Sequence, residues 1–367
     1  MNIIQRILHR PFFIKLFNWE YWSFNAVYGW ILPIWILLCL RARSFFFFSA
    51  SNPKIDNGGF LLESKMKIYE LIPPEYFPAT VLVKPGEAAN AILARVRDKG
   101  IRFPLIAKPD IGARGRGVKI IDNETDLISY LGHFPFDMVV QDLVAYANEI
   151  GIFYYRYPSN TSGKISGIVG KEFLSVRGDG ISTIEELILK NKRAVLQLPV
   201  LKKSLGTRLK EVLPVGIEET LVPYGNHARG SLFLDCSHYI DPELEAVINR
   251  ICKRIPDFYF GRLDIRYESL ESLKQERAFS IVELNGAGSE PTHMYDPRHS
   301  LLFAWKEIIR HWILLWRISR QNHKGGIAYM AYADGIKMHR DTRAYDRTLA
   351  EATEREMSTA SAEFVPL

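Results

Sequence analysis

The sequence predicts a fold that contains both helices and strands, because patterns of both kinds occur along the chain. Residues 258–267 (FYFGRLDIRY) and 279–285 (FSIVELN) alternate like two half-buried strands, and the polar connection 268–277 is typical of a hairpin. Residues 105–121 (LIAKPDIGARGRGVKII) predict two further strands joined by a glycine-rich loop. Amphipathic helices are predicted between these strands, for example over 241–255, so a protein that contains both helices and strands is expected.

The two late strands carry polar side chains at alternate positions. Side chains at such positions share one face of a strand, so Arg262, Asp264 and Arg266 share a face of the first strand. Glu283 and Asn285 share a face of the second in the same way. Pairing would place two carboxylates and an amide oxygen together, which is the hard-oxygen site that Mg²⁺ prefers when it also binds phosphates. The alternative is two amphipathic edge strands whose charges are solvated.

The glycine-rich loop follows a short apolar strand that ends in Lys108. The loop contains three glycines and two arginines, Gly112, Arg114, Gly115, Arg116 and Gly117. Glycines let backbone amides approach an anion closely, and the basic side chains supply positive charge. No Gly-Lys-Ser/Thr is present, and a strand rather than a helix follows, which excludes a P-loop and a dinucleotide fingerprint. The segment predicts a flap over phosphates, with an ordinary basic hairpin loop as the alternative.

The composition is that of a globular protein with a positive surplus. The 367 residues suffice for one large or two modest domains, and the formal net charge is +6. Such a surplus favours anionic lipid or acidic substrates. Nucleic acid is not expected as a partner, because no run of basic residues with interleaved aromatics is present. Cys39, Cys236 and Cys252 have neither metal spacing nor a pairing pattern, which indicates a reducing compartment.

The N-terminal segment predicts contact with a membrane. Residues 21–40 (YWSFNAVYGWILPIWILLCL) contain no charge over roughly the 20 residues that span a bilayer, and four phenylalanines follow at 45–48. Pro33 is expected to kink a helix in its middle. Basic residues flank both ends, so the positive-inside rule selects no orientation. A single span, an in-plane anchor and packing on protein all remain open. We expect contact through 21–48 at the cytoplasmic side of a membrane, with the cytoplasm as the alternative location.

The remaining sequence divides into regions with different patterns. We expect a hydrophobic segment over 1–50, then a region over 51–103 that leads to the domain with the strand motifs over 104–300. A helical region over 301–339 and a flexible polar tail or loosely held helix over 340–367 follow. Helices are predicted over 65–71, 87–99, 182–190, 241–255 and 301–318. Ser182 and Glu185 have capping-box spacing at the start of one of them. Asn226, His227 and Arg229 lie in a turn-like segment. The oligomeric state is not predicted.

The order of these motifs over residues 64–297 resembles the ATP-grasp superfamily. Lys65 comes first, then Lys108 with its glycine loop, then a strand leading to a hinge (MVVQDLV, 138–144). Arg262-x-Asp264 and Glu283-x-Asn285 come last, an arrangement that also resembles D-alanine–D-alanine ligases. Residues 176–187 (VRGDGISTIEEL) are similar to a run in cyanophycin-synthetase-like enzymes. The resemblance implies ATP held between two α+β subdomains.

The resemblance also implies roles for individual residues. Contacts with ATP would come from Lys65, Lys108, Gly112, Gly115, Gly117, Gln141, Asp142, Leu143, Val144, Glu149 and Lys171. Mg²⁺ or Mn²⁺ would be held by Asp264, Glu283 and Asn285, and Arg262 and Lys108 would act on the transferring phosphate. Substrate contacts are expected from His227, Arg229, Glu290 and His293. The loop 286–296 (GAGSEPTHMYD) departs from the D-alanine ligases, so D-alanine is not the expected substrate.

The activity that the resemblance implies is the ligation of a carboxylate to an amine through an acyl phosphate. A phosphotransferase on the same fold and a non-catalytic nucleotide-sensing membrane module are the two alternatives. The sequence does not identify the acid or the amine.

Overall fold

A computed structural model describes residues 10–112, 115–222, 225 and 227–362, which divide into two compact units. The larger unit comprises the described parts of 34–168, 237–291 and 310–367. The smaller unit comprises the described parts of 1–33, 169–236 and 292–309. Both units contain helices and strands, so the predicted α+β class is confirmed. Arg114, Asn226 and the last residues of the polar tail, 363–367, lie outside the described residues.

Both helices and strands occur along the chain, as the sequence predicts. The strands are β1 Thr80–Val83, β2 Leu105–Pro109, β3 Lys119–Ile121, β4 Met138–Asp142, β5 Asn148–Tyr155, β6 Lys164–Glu172, β7 Leu174–Arg177, β8 Glu218–Val222, β9 Leu232–Asp235, β10 Phe260–Tyr267 and β11 Phe279–Asn285. The α-helices are α1 Pro11–Phe17, α2 Phe24–Tyr28, α3 Leu32–Ala42, α4 Lys65–Leu71, α5 Ala89–Asp98, α6 Glu124–Leu131, α7 Ile184–Lys190, α8 Leu198–Leu205, α9 Pro242–Lys253, α10 Leu270–Lys274, α11 Leu301–Lys324 and α12 Tyr332–Ala362.

The larger unit contains a four-stranded antiparallel sheet in the order β1-β4-β2-β3. Leu105 of β2 pairs with Ile121 of β3 on one side and with Asp142 of β4 on the other. Helices α5 and α6 cover this sheet with buried apolar side chains such as Ile92 and Leu127. The sheet carries Lys108 at the end of β2, and the glycine-rich loop leaves from the same end.

The second sheet of the larger unit has the order β11-β10-β5-β6. Strand β10 lies between β5 and β11 and pairs antiparallel with both. Leu263 and Ile265 of β10 are fully buried, and Arg262 and Asp264 occupy the alternate positions, where Asp264 is also buried. The predicted hairpin is confirmed, although its connection contains the short helix α10.

Part of the predicted membrane segment belongs to the core of the larger unit. Phe47 and Phe48 are buried with Phe260, Leu315 and Ile318. The buried carboxamide of Asn52 accepts hydrogen bonds from the backbone amides of Tyr259 and Phe260 and donates to the carbonyls of Gly58 and Phe260. Residues 47 and 48 therefore form part of the core, so the segment before residue 51 cannot be removed as a separate anchor without loss of core packing.

The uncharged stretch 21–40 does not form one helix. Residues 24–28 and 32–42 form α2 and α3, and none of the helices in the described ranges is long and apolar enough to cross a membrane. Pro33 lies in the first turn of α3, where its missing N–H costs no hydrogen bond, so the expected mid-helix kink does not form. Some aromatic residues of this region are packed, as Trp35 is against Phe47, and others are exposed, as Trp30 is.

The smaller unit contains the two-stranded antiparallel sheet of β7 and β8, and residues 169–172 of β6 pair with β9. Leu174, Ile184 and Ile188 are among the buried residues of its core. The capping box of α7 is formed by Thr183 and Glu186, so the predicted box of Ser182 and Glu185 is wrong by one residue. The reason is that the hydroxyl of Ser182 donates to Asp179 Oδ2 over 2.7 Å instead.

The polar C-terminal region is helical. Helix α12 has 31 residues and includes most of the segment that was expected to be a flexible tail or a loosely held helix. Its buried side chains include Met338, Leu349 and Ala352, and Leu349 and Ala352 belong to the core over the four-stranded sheet. The few apolar residues of this region therefore hold the helix against the larger unit.

We predict that Phe47→Ala lowers the free energy of unfolding by about 3–5 kcal/mol, because it removes a fully buried aromatic side chain from the core. Urea denaturation followed by circular dichroism measures the loss. The neighbouring Phe45 is 56% exposed, so Phe45→Ala is the matched control and should cost less than about 1 kcal/mol. Equal losses for the two variants would contradict the placement of residues 46–48 in the core. For the same reason, a chain beginning at Ser51 is expected to be less stable than the full chain.

Candidate functional site

Strands β10 and β11 bring four polar side chains to one patch of sheet. Asp264 pairs with Glu283, and Arg262 pairs with Asn285, across the antiparallel ladder. The predicted juxtaposition of the two carboxylates and the amide is therefore confirmed. On its other side Asp264 pairs with Gly151 of β5, which has no side chain to compete for the space.

A bulge in β11 adjoins this patch. The register shifts after the Asp264 pair, so that Val282 is an additional residue between Glu283 and Ile281. The carbonyl of Val282 accepts hydrogen bonds from Tyr69 Oη over 2.7 Å and from Lys108 Nζ over 3.4 Å. The bulge thus connects the carboxylate strand to the lysine of the other sheet.

Arg262 and Asp264 form a bidentate ion pair along one strand. Arg262 Nε lies 2.8 Å from Asp264 Oδ1, and Arg262 Nη2 lies 3.0 Å from Asp264 Oδ2. Burial lowers the pKa of the guanidinium, but Asp264, Glu283 and Glu290 raise this pKa by more. A carboxylate has about four lone-pair sites, so the ion pair does not by itself exclude a cation from Asp264.

The donor set of the patch fits a magnesium ion. The Glu283 carboxylate is half-buried and has no hydrogen-bond partner among the described residues. Asn285 Nδ2 is buried and also lacks a partner there, and the oxygen of the same amide can bind a cation. No group of three or more His, Cys, Asp or Glu side chains in the described ranges could hold a metal. Two carboxylates and one amide oxygen suffice for Mg²⁺ that is also bound by phosphates and water.

Lys108 is a buried cation with neutral partners. Its ammonium donates to Gln141 Oε1 over 2.9 Å, to Tyr69 Oη over 3.0 Å and to the Val282 carbonyl. The residue is only 8% exposed and forms no ion pair with a described carboxylate. Since a buried charge is costly unless an opposite charge accompanies it, this arrangement favours an anionic ligand.

The glycine loop is fixed at its base. Lys65 Nζ donates to the Gly112 carbonyl over 2.8 Å, and the Met66 amide donates to Asp110 Oδ1. Gly117 has a φ of +62°, and a Cβ there would lie 2.9 Å from Pro109 Cγ, so the position requires glycine. Lys65 therefore contacts the loop that the sequence predicts to cover phosphates.

Helix α12 also packs on this loop. The hydroxyl of Tyr345 donates to the Ile111 carbonyl over 2.7 Å, and a Cβ at Gly117 would lie 3.4 Å from Leu349 Cδ1. Arg116, which was expected to face phosphates, lies 3.7 Å from Asp346. The helix therefore contacts the loop through hydrogen bonds, apolar packing and charge.

The predicted hinge follows β4. Gln141 and Asp142 end the strand, and Leu143 and Val144 lie in the connection to β5. The side chain of Gln141 points into the protein, where its Nε2 donates to Thr80 Oγ1 over 2.8 Å. Any contact between Gln141 and a nucleotide base would therefore come from its backbone.

Arg266 connects the hinge to Glu149. Its guanidinium donates to the carbonyls of Val144 and Tyr146 over 3.1 Å and 3.3 Å, and its Nε lies 3.4 Å from Glu149 Oε2. Glu149 and Arg266 are also direct partners in the β5–β10 ladder. Arg266 thus fixes the position of the acidic residue that is expected to bind the ribose.

Four of the predicted residues lie in the smaller unit, namely Lys171, His227, Arg229 and His293. His227 Nε2 donates to Glu20 Oε2 over 2.8 Å, and Arg193 Nη2 donates to the same oxygen over 2.6 Å. Burial raises the pKa of Glu20, but His227 and Arg193 lower it by more. His293 Nε2 donates to the buried Glu307 over 3.0 Å. Substrate roles for these residues stay predictions.

Three residues of the larger unit were not predicted from the sequence. Tyr69 and Arg266 hold Lys108 and Glu149, as described above. Burial raises the pKa of Glu63, and Glu283 raises it further against the opposing effect of Lys65. Arg266 shares a strand face with Arg262 in the sequence and could have been found, whereas Tyr69 and Glu63 have no signal near the motifs.

No family model and no curated protein sequence matches the chain. Among solved structures it is similar to a bifunctional glutathione synthetase from Pasteurella multocida, at 14% identity and a TM-score of 0.37, over 66% of this chain and 34% of that one. It is similar to the VanG D-Ala:D-Ser ligase from Enterococcus faecalis, at 13% identity and a TM-score of 0.42, over 71% of this chain and 64% of that one. It is also similar to a D-alanine–D-alanine ligase from Bacillus anthracis, at 13% identity and a TM-score of 0.39, over 72% of this chain and 69% of that one.

The chain spans 34% and 64% of the first two of these proteins. TM-scores this low do not establish a common fold or function. The assignment of the site therefore rests on its own residues and geometry.

We predict that Tyr69→Phe lowers the free energy of unfolding by about 1–3 kcal/mol, because it removes the hydroxyl that donates to the bulged Val282 carbonyl. Urea denaturation monitored by fluorescence measures the difference. Tyr332→Phe is the matched control, since Tyr332 is exposed and its hydroxyl has no hydrogen-bond partner in the described chain. If the Tyr69→Phe variant is as stable as this control, the hydroxyl of Tyr69 does not stabilise the bulge.

Proposed function

We propose that this chain is an ATP-dependent carboxylate–amine ligase of the ATP-grasp type. The buried Lys108 ammonium, whose partners within the described residues are all neutral and include the Val282 carbonyl beside Glu283, carries the proposal. A buried cation on one strand and two carboxylates on the neighbouring sheet suit a phosphate chain and its metal ion, because the ammonium can bind the phosphates and the carboxylates can bind the metal. The order of motifs in the sequence supports the same conclusion.

Each residue of the patch has a definite role in this proposal. Lys108 binds the phosphates of ATP, and Lys65 holds the base of the glycine loop over them. A magnesium ion, when bound, would be held by Asp264, Glu283 and Asn285 and would neutralise phosphate charge. Arg262 donates from Nε and Nη2 to Asp264, and the remaining N–H groups of its two Nη atoms would donate to the oxygens of a transferring phosphate.

The proposed reaction has two steps. A carboxylate oxygen of the substrate attacks the γ-phosphorus of ATP, and the bond between that phosphorus and the bridging oxygen breaks to release ADP. The nitrogen of an amine then attacks the acyl carbon, phosphate leaves, and the nitrogen gives up a proton as the amide forms. The protein contributes positioning and charge neutralisation to both steps.

Product analysis distinguishes this reaction from its alternatives. Mass spectrometry of cells with and without the gene is the experiment, and we expect an amide that requires it. With the acid alone, ATP labelled at its β,γ-bridging oxygen should move label to the non-bridging oxygens of its β-phosphate, because bound ADP can rotate that phosphate before ATP re-forms. A stable phosphorylated end product with no amine consumed would identify a phosphotransferase, and the absence of any ATP-dependent product would favour a sensing module.

The proposal includes association with the cytoplasmic side of a membrane. It is supported by the uncharged stretch 21–40 with its basic flanks, and by large apolar side chains of α3 that are exposed. These side chains allow the manner of association to be argued in detail below.

We predict that Lys108→Met weakens ATP binding by roughly tenfold to a hundredfold, because a charge-assisted hydrogen bond to phosphate is lost. Isothermal calorimetry with Mg²⁺ and ATP measures the change, and circular dichroism verifies the fold. Lys253→Met, at an exposed position at the end of α9, is the control and should bind ATP as the wild-type chain does. Wild-type affinity in the Lys108 variant would remove the main support of the proposed function.

We predict that Glu283→Gln raises the Mg²⁺ concentration required for half-maximal ATP binding by about ten- to a hundredfold, because one charged ligand is replaced by a neutral one. ATP binding titrated with Mg²⁺ is the measurement, and it requires no knowledge of the substrates. Glu271→Gln, in the connection between β10 and β11, removes an exposed charge and serves as the control. If both variants show the same Mg²⁺ dependence as the wild-type chain, the metal assignment is wrong.

A further inference from the structure

Helix α3 has one buried face and one exposed apolar face. Leu38 and Cys39 are buried in the core, with Trp35 packed against Trp312 and Phe47. Ile36, Leu37 and Leu40 point the other way, and each is more than two-fifths exposed. A surface helix of a soluble protein normally exposes polar side chains on this side, so the pattern indicates contact with something apolar.

Apolar side chains are also exposed after α3 and at the start of α12. The Phe45 and Tyr332 rings lie 6.3 Å apart, and Ile336 follows one helical turn after Tyr332 in α12. We call these residues the apolar face, and its members are Ile36, Leu37, Leu40, Phe45, Tyr332 and Ile336. Their exposed fractions lie between 43% and 65%.

Positive charge lies at the C-terminal end of α3. Arg41 and Arg43 are exposed, and neither has a carboxylate partner among the described residues. A cleft of about 530 Å³ opens beside Arg43, between Phe45, His323 and Tyr329. The cleft has one arginine at its edge and aromatic walls, which is the combination that suits the anionic headgroup and the upper acyl chain of a lipid.

The geometry excludes insertion across the bilayer. Helix α3 has 11 residues and is therefore about 16 Å long, about half the thickness of the hydrocarbon layer. Its opposite face is buried in the protein core, so the helix cannot leave the larger unit without exposing that core. Only an orientation parallel to the membrane places the apolar face in lipid and the arginines at the headgroups.

We propose that the apolar face binds the surface of an anionic lipid bilayer, with α3 lying in the plane of the interface and Arg41 and Arg43 contacting the headgroups. The proposal gives the membrane association of the proposed function a definite surface and lipid class. It selects the in-plane anchor from the possibilities that the sequence leaves open. It does not depend on the ligase chemistry, because none of these residues belongs to the ATP site.

Vesicle sedimentation of the full chain tests the proposal. We expect binding to vesicles of phosphatidylcholine mixed with phosphatidylglycerol and weaker binding to phosphatidylcholine alone. The double variant Ile36→Glu with Leu40→Glu should bind the mixed vesicles at least about tenfold more weakly, since two inserted aliphatic side chains are lost. Arg41→Gln and Arg43→Gln should each cost about fivefold on mixed vesicles and leave the weak binding to phosphatidylcholine unchanged.

The controls separate this surface from general effects. Ile181 is 84% exposed in the smaller unit, so Ile181→Glu changes an exposed aliphatic residue of a different surface and should bind vesicles normally. All variants should keep the thermal midpoint and the ATP affinity of the wild-type chain. If the chain binds vesicles but does not bind ATP, the proposed ligase function is wrong and the proposed membrane contact of the apolar face is unaffected.

Three results would overturn the proposal. The first is a wild-type chain that binds neither type of vesicle. The second is a Glu double variant that binds as tightly as the wild-type chain. The third is a self-associating wild-type chain that becomes monomeric in the double variant by analytical ultracentrifugation, which would assign the apolar face to a second copy of the chain.

Discussion

Backbone hydrogen bonds between β10 and β11 hold Asp264 opposite Glu283 and Arg262 opposite Asn285. Every feature of the patch follows from this register, because a slip by one residue would turn the polar side chains to the buried face of the sheet. The fully buried Leu263 and Ile265 oppose such a slip. The bulge at Val282 then directs one carbonyl to Lys108 and Tyr69, so strand pairing determines both the carboxylate patch and its connection to the lysine.

The charges of the site determine which kind of ligand it favours. Asp264 is already paired with Arg262, whereas the ammonium of Lys108 is buried among neutral oxygens and the Glu283 carboxylate has no hydrogen-bond partner among the described residues. A protein that keeps such charges close together bears a desolvation cost that a charged ligand would offset. A phosphate chain with its cation supplies negative charge for Lys108 and positive charge for Glu283. A neutral ligand supplies neither charge, and a simple anion supplies only the first.

The sequence predicts those parts of the site that depend on local rules. Alternation along a strand places Asp264, Glu283 and Asn285, and a short connection predicts their pairing. Contacts between distant segments are beyond such rules, since Tyr69 meets Val282 across 213 residues. Hydropathy also cannot distinguish Leu38, which is buried, from Leu40, which is exposed, because both are apolar and only the packing of α3 separates them. The few apolar residues of α12 gave no sign of its contact with the glycine loop.

Helix α12 extends over about 46 Å, and its two halves contact different parts of the larger unit. Near its start, Gly335 lies so close to the ring of Phe46 that a Cβ would come within 2.2 Å of it. Further along, Tyr345 and Leu349 contact the base of the glycine loop. If the helix moves as a rigid body, a displacement at one end is transmitted to the other. Linkage then makes the effect reciprocal: if lipid contact shifts the rod toward one position and favours nucleotide, nucleotide must favour lipid contact by the same factor.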